Sequence, residues 1–322
     1  MPNVLVLGST GYLGLTLSLA LLRTGNYTVY GLARSNAKAR LLTRNEIIPL
    51  VGDVSDPSVI TSAISIHAID VVVDTTSAYE HAATLLAAVV EAGKARAEAL
   101  EKEGAVGPKL AFVYSSGTWV HGSPSRRVSD LEPAGTSLAA DKPANAVAWR
   151  TGYEQQILAA RDVLDVAIVR PAVIIGRGSW ILNAWLTPLL EAKKSGSLDK
   201  VSIAVDKKAR VGIVHVDDVA EGYVKVIERI NGSLGSWPVF DLTAETVSAV
   251  EFLEGAKDVV GVKAELDFVG AGGDAFMEAM SLVTKNDSGR ARSILGWEAN
   301  RMDAVQSLEV YVKAWEASQE EN

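Results

Sequence analysis

The sequence predicts an α/β protein built on a doubly wound parallel sheet, with a smaller substrate domain toward the C-terminus. Three observations predict it. Val4-Leu5-Val6-Leu7 is an apolar run that passes straight into Gly8-Ser9-Thr10-Gly11-Tyr12-Leu13-Gly14, the pattern of a buried strand turning sharply into a helix. Short apolar runs then alternate with helical stretches in the rhythm of right-handed βαβ units. Beyond Pro171 that order becomes irregular, which marks the second domain.

The strand candidates after the first are residues 28–32, 47–51, 69–75, 110–115, 166–170, 212–216 and 239–242, each a short apolar run of strand length. The first helix is expected over 13–22, a stretch with almost no charge, and the longest over the alanine-rich 79–102. Between 122 and 145, Pro124, Pro133, Gly135 and Pro143 fall among charged and small residues and no period survives, so this segment is expected to be a long loop over a site. The expected division is a nucleotide-binding domain over 1–175, with 211–245 returning to it, and a mainly substrate-binding region over 176–322.

Composition bounds the function. A chain of 322 residues with 48% hydrophobic and 22% charged residues can bury a large core. A net charge of −8 argues against nucleic acid or an anionic membrane as the main partner, since neither attracts an acidic surface. No apolar run reaches the length of a membrane span. With no cysteine, disulfides, thiolate catalysis and Cys-ligated metal are excluded together. The first strand starts at Asn3 or Val4, leaving no room for a targeting peptide, and a cytoplasmic protein is expected.

The glycine turn carries the chemistry. Glycine lets the backbone approach a pyrophosphate and lets the helix pack closely on the strand, while the helix N-terminus offers unpaired N–H groups to phosphate. Gly8, Thr10, Gly11, Tyr12, Leu13 and Gly14 are therefore candidate dinucleotide-binding residues. An NAD site wants a carboxylate at the end of the second strand to accept from the ribose hydroxyls, whereas a 2′-phosphate needs a cation. Here the strand ends Gly31-Leu32-Ala33-Arg34-Ser35, with Lys38 one helical turn on, so NADP(H) is favoured over NAD(H) and Arg34 is the residue expected to choose. Arg34 and Lys38 as a solvated basic patch is the alternative.

Further stretches, in order along nearly the whole chain, resemble the extended and atypical short-chain dehydrogenases, the NAD-dependent epimerase/dehydratase superfamily. Besides Gly8, Gly11 and Gly14 there is Gly52-Asp53-Val54-Ser55-Asp56, which resembles the family's acidic adenine contact and implies roles for Asp53 and Val54. Asp74-Thr75-Thr76-Ser77 ends the fourth strand where the family places small residues beside ribose and nicotinamide. Phe112-Val113-Tyr114-Ser115-Ser116-Gly117-Thr118-Trp119-Val120-His121-Gly122 resembles the fifth-strand segment that carries a catalytic hydroxyl. Arg170-Pro171-Ala172-Val173 resembles the segment lining the nicotinamide, and His215-Val216-Asp217-Asp218 and Leu295-Gly296-Trp297 match two later signatures. The resemblance implies a Rossmann fold, a nicotinamide cofactor and an oxidoreductase or epimerase, with a possible homodimer.

The resemblance also implies a Tyr with a Lys four residues later, and the helix Ala146-Val147-Ala148-Trp149-Arg150-Thr151-Gly152-Tyr153-Glu154-Gln155 lacks that pair. Counted back from Glu154-Gln155, Arg150 falls at the lysine position and Ala146 at the tyrosine. Arginine can hold ribose hydroxyls but cannot donate a proton near neutral pH. On the fifth strand Gly117 falls at the hydroxyl position, flanked by Ser115, Ser116 and Thr118. Tyr153, three residues after Arg150, is a candidate general acid if the helix enters at a shifted depth, against a packed tyrosine with a satisfied hydroxyl. Ser116 or Thr118 orienting a substrate carbonyl, with water supplying the proton, is the other route.

Among remaining residues, His215 beside Asp217 and Asp218 lacks a second histidine at ligand spacing, so no metal is expected and Asp217 reads as a helix N-cap. His121 alone of the histidines borders the expected site. Trp119, Trp149, Trp180 and Trp185 fall near cleft-forming segments and predict an apolar, aromatic wall. Arg177, Lys193, Lys194, Lys207, Lys208 and Arg210 are candidates for clamping a nucleotide-sugar diphosphate. Three readings stand: a reductase or dehydrogenase acting on a small carbonyl, alcohol or imine, a nucleotide-sugar epimerase/dehydratase, and a non-catalytic NADP(H)-sensing regulator.

Overall fold

A computed structural model of the chain describes residues 1–196, 198–301 and 303–320. In chain order its strands are β1 (Asn3–Leu7), β2 (Thr28–Ala33), β3 (Ile48–Val51), β4 (Val71–Asp74), β5 (Leu110–Ser115), β6 (Val128–Ser129), β7 (Leu164–Pro171), β8 (Val173–Ile175), β9 (Val201–Ile203), β10 (Arg210–His215), β11 (Val239–Leu242), β12 (Glu245–Ser248), β13 (Leu266–Phe268) and β14 (Asn286–Asp287). Its helices are α1 (Tyr12–Thr24), α2 (Asn36–Arg44), α3 (Pro57–Ile66), α4 (Ala82–Lys102), α5 (Ala148–Ala159), α6 (Asn183–Ser195), α7 (Val216–Ile227), α8 (Ala249–Val260), α9 (Ala275–Ala279) and α10 (Leu308–Glu320).

The central sheet is wholly parallel, with strand order β11-β7-β5-β4-β1-β2-β3. Its inner strands β1, β4 and β5 read as nearly unbroken apolar runs because both faces are covered, whereas the edge strand β3 leaves Ile48 and Val51 exposed. In β1, Val4 and Val6 join the core under α1, α2 and α7, while Leu5 and Leu7 join the core under α3, α4 and α5. Leu17 and Leu21 of α1 are fully buried, each contributing about 1.5–3 kcal/mol by area transfer as an upper bound. The strand order reverses between β1 and β4, the place where an open α/β sheet leaves a crevice at its carboxyl end.

A second core fills the C-terminal half. The sheet β12-β10-β8, the pair β13-β9 and helices α6, α8 and α10 enclose Trp185, Phe252, Val312 and Trp315. Within 211–245, α7 packs on α1 and β11 forms one edge of the central sheet, whereas β10 and β12 belong to the second sheet. That stretch is thus shared between the two sheets rather than given wholly to the first. The chain crosses directly from one to the other where β7 ends at Pro171 and β8 starts at Val173. No helix of the described residues is long and apolar enough to cross a membrane.

The segment 122–145 is pinned rather than draped over the cleft. Its Val128 and Ser129 pair with Asn286 and Asp287, the Trp237 indole N–H donates to the Asp130 carbonyl at 2.8 Å, and Ala134 and Ala144 pack with Val120 and Ala279. The α7 N-cap is likewise not Asp217: the His215 Nδ1 accepts from the Asp217 N–H at 3.1 Å, which places both Asp217 and Asp218 in the first turn.

Candidate active site

The turn between β1 and α1 is set by steric contact. Gly8 has φ +81°, and a Cβ there would lie 2.9 Å from Thr75 Oγ1. A Cβ on Gly14 would lie 2.2 Å from the Gly8 carbonyl oxygen and 2.7 Å from Thr75 Oγ1. The β1 turn and the β4 turn therefore interlock, with the Thr75 hydroxyl donating to the Leu7 carbonyl at 2.7 Å. Gly11 is the α1 N-cap and offers no side-chain cap, so the first N–H groups of the helix face the turn without an internal partner.

Between these turns lies a cleft of about 420 Å³. Of the residues singled out from the sequence, Gly11, Tyr12, Leu13, Gly14, Thr75, Thr76, Ser77, Ser115, Ser116, Thr118, Arg150, Pro171, Ala172 and Val173 line it. Gly8 supports the turn from beneath, and Thr10 lies within the turn but not on the cleft wall. Arg34 and Asp53 stand exposed beyond the tips of β2 and β3, outside the cleft, with Val54 half-buried beside them. The Ser55 N–H donates to Asp53 at 2.9 Å and, with the Ser55 hydroxyl and then Arg34, holds that carboxyl below its usual range.

Arg150 reaches the cleft from α5. Its Nη1 would lie 3.1 Å from a Cβ on Gly117, and its buried Nε has no hydrogen-bond partner. A side chain at 117 would touch the guanidinium, which a shift of a few tenths of an ångström would relieve. Asp74 is buried at the end of β4 and accepts from the Thr76 N–H at 2.9 Å and hydroxyl at 2.7 Å. Burial pushes its pKa up, while Thr76 and Arg150 oppose the shift. Ser116 Oγ is buried without a partner. The Ser115 hydroxyl is engaged, accepting from Tyr223 at 2.6 Å.

Tyr153 does not join this group. Its hydroxyl donates to the Ala82 carbonyl at 2.8 Å, and its ring meets Tyr114 edge to face at 4.9 Å inside the core under α4. Burial raises its pKa further. The expectation of Tyr153 as a general acid is corrected by this placement: residues three apart lie only about 60° apart around a helix, so Tyr153 starts near the Arg150 side of α5, but its hydroxyl is turned to the Ala82 carbonyl and does not line the cleft. Tyr12 is also spoken for, donating to the Gly176 carbonyl at 2.6 Å and approaching that of Ile175 at 3.0 Å.

The depth of α5 is fixed by charge. One turn beyond Arg150, Glu154 grips the buried Arg170 through Nε–Oε1 at 3.0 Å and Nη2–Oε2 at 2.5 Å. Arg170 Nη1 stands 3.8 Å from Asp241, whose other oxygen meets His121 Nε2 at 2.8 Å. All four side chains are almost wholly buried. Arg170 and His121 are thus absorbed in a brace behind the site and do not line it. Such networks fix geometry more than they add stability.

The aromatic wall is real but differently composed. Trp119 and Trp180 line the cleft, joined by Phe276 of α9. Trp185 is 1% exposed in the second core, and Trp149 lies over Tyr79 at 5.8 Å, outside the main cleft. Ser179 and Ile181 were missed because they sit in an irregular segment beyond Pro171, and Phe276 because α9 has only five residues, too few to show a period; the unpatterned apolar Trp180-Ile181-Leu182 after Gly178-Ser179 was the available signal. No lining residue comes from 122–145. Among the described residues no group of three or more His, Cys, Asp or Glu has an arrangement that could hold a metal.

Residues 4–236 match the model of the NAD dependent epimerase/dehydratase family. The chain belongs to that family. No curated protein matches the sequence. Solved structures of the same fold include dTDP-glucose 4,6-dehydratase from Bacillus anthracis in complex with NAD, at 15% identity and TM-score 0.71 over 100% of this chain and 98% of that one. UDP-glucuronic acid 4-epimerase from Bacillus cereus, in complex with UDP-glucuronic acid and NAD, is similar at 15% identity and TM-score 0.71 over 98% and 99%. UDP-glucose 4-epimerase from Bifidobacterium longum, with NAD+ and UDP, is similar at 18% identity and TM-score 0.64 over 99% of both chains. At these identities the likeness is one of fold.

Proposed function

We propose that this chain is an NAD(P)-dependent oxidoreductase acting on a small carbonyl, alcohol or imine without a Tyr/Lys pair. The observation that carries the reading is the interlocked Gly8, Gly14 and Thr75 cradle at the strand-order reversal, opening on a cleft whose buried Ser116 Oγ and Arg150 Nε have no partner in the protein. A cradle that a Cβ would fill, with orphaned polar atoms beyond it, fits a dinucleotide. The α1 N-terminus with Gly11 would receive the pyrophosphate, Thr75, Thr76 and Ser77 the ribose side, and Pro171, Ala172 and Val173 the nicotinamide face. When bound, the nicotinamide supplies or accepts a hydride. Arg150 holds the ribose hydroxyls and Ser116 or Thr118 donates a hydrogen bond to the substrate oxygen. In the reducing direction that oxygen takes its proton from water, because Tyr12 is engaged and arginine keeps its proton.

NADP(H) is the preferred form in this reading, since an exposed Arg34 and no carboxylate stands at the tip of β2. Calorimetry with NADP+ and NAD+ tests it: equal affinities, or an unchanged preference in Arg34→Ala, refute the preference. Loss of NADPH absorbance against aldehydes, ketones, imines and nucleotide-sugars tests turnover. A non-catalytic sensor is the second reading, favoured by the engagement of Tyr12, whose hydroxyl is already given to the Gly176 carbonyl. Silence across the panel, with a partner protein that distinguishes NADP+ from NADPH, would establish it. A nucleotide-sugar epimerase/dehydratase is the reading the similar structures favour.

A further inference from the structure

We propose that the substrate half of the cleft is built for a flat, uncharged ring carrying the reacting carbonyl, and not for a nucleoside diphosphate sugar. The proposal rests on the cofactor-dependent reading above and names its substrate class. Trp119, Trp180 and Phe276 reach the cleft from three separate segments. The Trp119 and Phe276 rings meet edge to face with centroids 5.7 Å apart, and Trp180 lies within 27° of parallel to Phe276 at 6.2 Å. Trp180 is nevertheless 60% exposed, whereas Trp185, Trp297 and Trp315 are at most 1% exposed and fill cores. An indole left in water at the wall of a cavity is apolar surface that a ligand can cover. A planar ring laid against it removes that surface from water and adds the attraction between offset ring faces.

Charge argues the same way. Among the described lining residues Arg150 is the one charged side chain, and it stands beside Gly117 within the field of Asp74. The cations that the sequence offers as a phosphate clamp are placed elsewhere. Arg177 pairs with Asp217 at 2.5 Å, Lys193 pairs with Glu316 at 2.6 Å, and neither lines the cleft. A diphosphate carried into this apolar space would lose its hydration with Arg150, assigned to the ribose, as the one lining cation to replace it. A ring bearing a single carbonyl asks for one hydrogen-bond donor, which Ser116 supplies.

The test is calorimetry on the full chain saturated with NADP+, titrated separately with naphthaldehyde, propanal and UDP-glucose. Naphthaldehyde binding is expected, with UDP-glucose weaker by about a hundredfold or more. Trp180→Ala and Phe276→Ala should each weaken naphthaldehyde by about tenfold while NADP+ affinity is unchanged. Because the Trp180 side chain is exposed, its loss spares the fold, and Trp180→Phe should recover most of the affinity. UDP-glucose binding as tightly as naphthaldehyde, or Trp180→Ala without effect on naphthaldehyde, overturns the proposal. The two readings fail separately. Naphthaldehyde that binds through Trp180 but is never reduced by NADPH supports the ring site and removes the oxidoreductase. Reduction of propanal as efficiently as naphthaldehyde, indifferent to Trp180→Ala, keeps the oxidoreductase and removes the ring site.

Discussion

Gly14→Ala and Gly152→Ala should change stability in opposite directions, although both put the same methyl on a helix. At Gly152 nothing lies within 4 Å of the added Cβ, so only backbone entropy changes and stability should rise by about 0.5–1 kcal/mol. At Gly14 the same helix-propensity gain is opposed by a Cβ at 2.2 Å from the Gly8 oxygen and 2.6 Å from its carbon, both backbone atoms. Relief requires α1 to move more than an ångström from the turn. Overpacking of this kind costs about 1–3 kcal/mol net, a fall of roughly 2–10 °C in Tm for a chain this size. Because Thr75 Oγ1 is the next contact, at 2.7 Å, the displacement also opens the cradle, and cofactor binding should disappear in calorimetry. Thermal and chemical denaturation of both variants provide the comparison. Gly14→Ala with wild-type stability and wild-type cofactor affinity would refute the close-approach argument, and Gly11→Ala, whose Cβ meets only the Gly8 oxygen at 3.1 Å, serves as the mild intermediate case.

Arg150→Ala should weaken cofactor binding by about tenfold or more, the worth of a charge-assisted hydrogen bond, and slow any turnover with it; an unchanged Kd would remove Arg150 from the ribose. Tyr153→Phe removes the hydrogen bond to the Ala82 carbonyl, which keeps its partner within α4, and should cost about 0.5–1.5 kcal/mol in denaturation while turnover per folded molecule stays unchanged. A loss of about a hundredfold would instead return this tyrosine to the chemistry. Burial pushes Asp130 up to about 7 from 3.8, with Asp241 adding to the shift and Arg290 opposing it. Because its folded pKa lies above the unfolded one, this group favours folding most below about pH 4, and its contribution is lost as pH rises toward about 7. Asp130→Asn should therefore remove a downward slope of stability across that window, read as the difference in denaturation midpoints between the two proteins. Identical slopes would show that Asp130 does not titrate there.

The central sheet was legible because a parallel strand covered on both faces is written as a continuous apolar run, as in Val71–Asp74 and Leu110–Ser115. The glycine turn was legible because close approach leaves no other residue type at Gly14. In the second sheet the run 212–216 was legible as a strand but was given to the first domain, and β8 and β12, three and four residues long, are too short for a period to show. Trp185 and Trp180 looked alike in sequence, and only the packing of α6 against α8 separates a core tryptophan from a cleft one. Arg150 and Tyr153 were correctly read as neighbours on one helix, yet which faces the cleft depends on how far α5 rotates, and the Glu154–Arg170 grip that decides it joins residues sixteen apart.

The Tyr12 hydroxyl joins the first turn of α1 to the Ile175 and Gly176 carbonyls, a span of more than 160 residues in sequence. Gly176, at φ +100°, has no room for a Cβ because the His215 imidazole lies 2.2 Å from where it would be. The glycine cradle and the start of the substrate wall are therefore bolted together instead of hinged, with the Arg177 guanidinium adding a bond to Thr16 Oγ1 of α1 at 3.3 Å. A chain so fastened meets its ligands with the cleft already shaped, so cofactor arrival should follow simple one-step kinetics, with no slow closing phase after encounter.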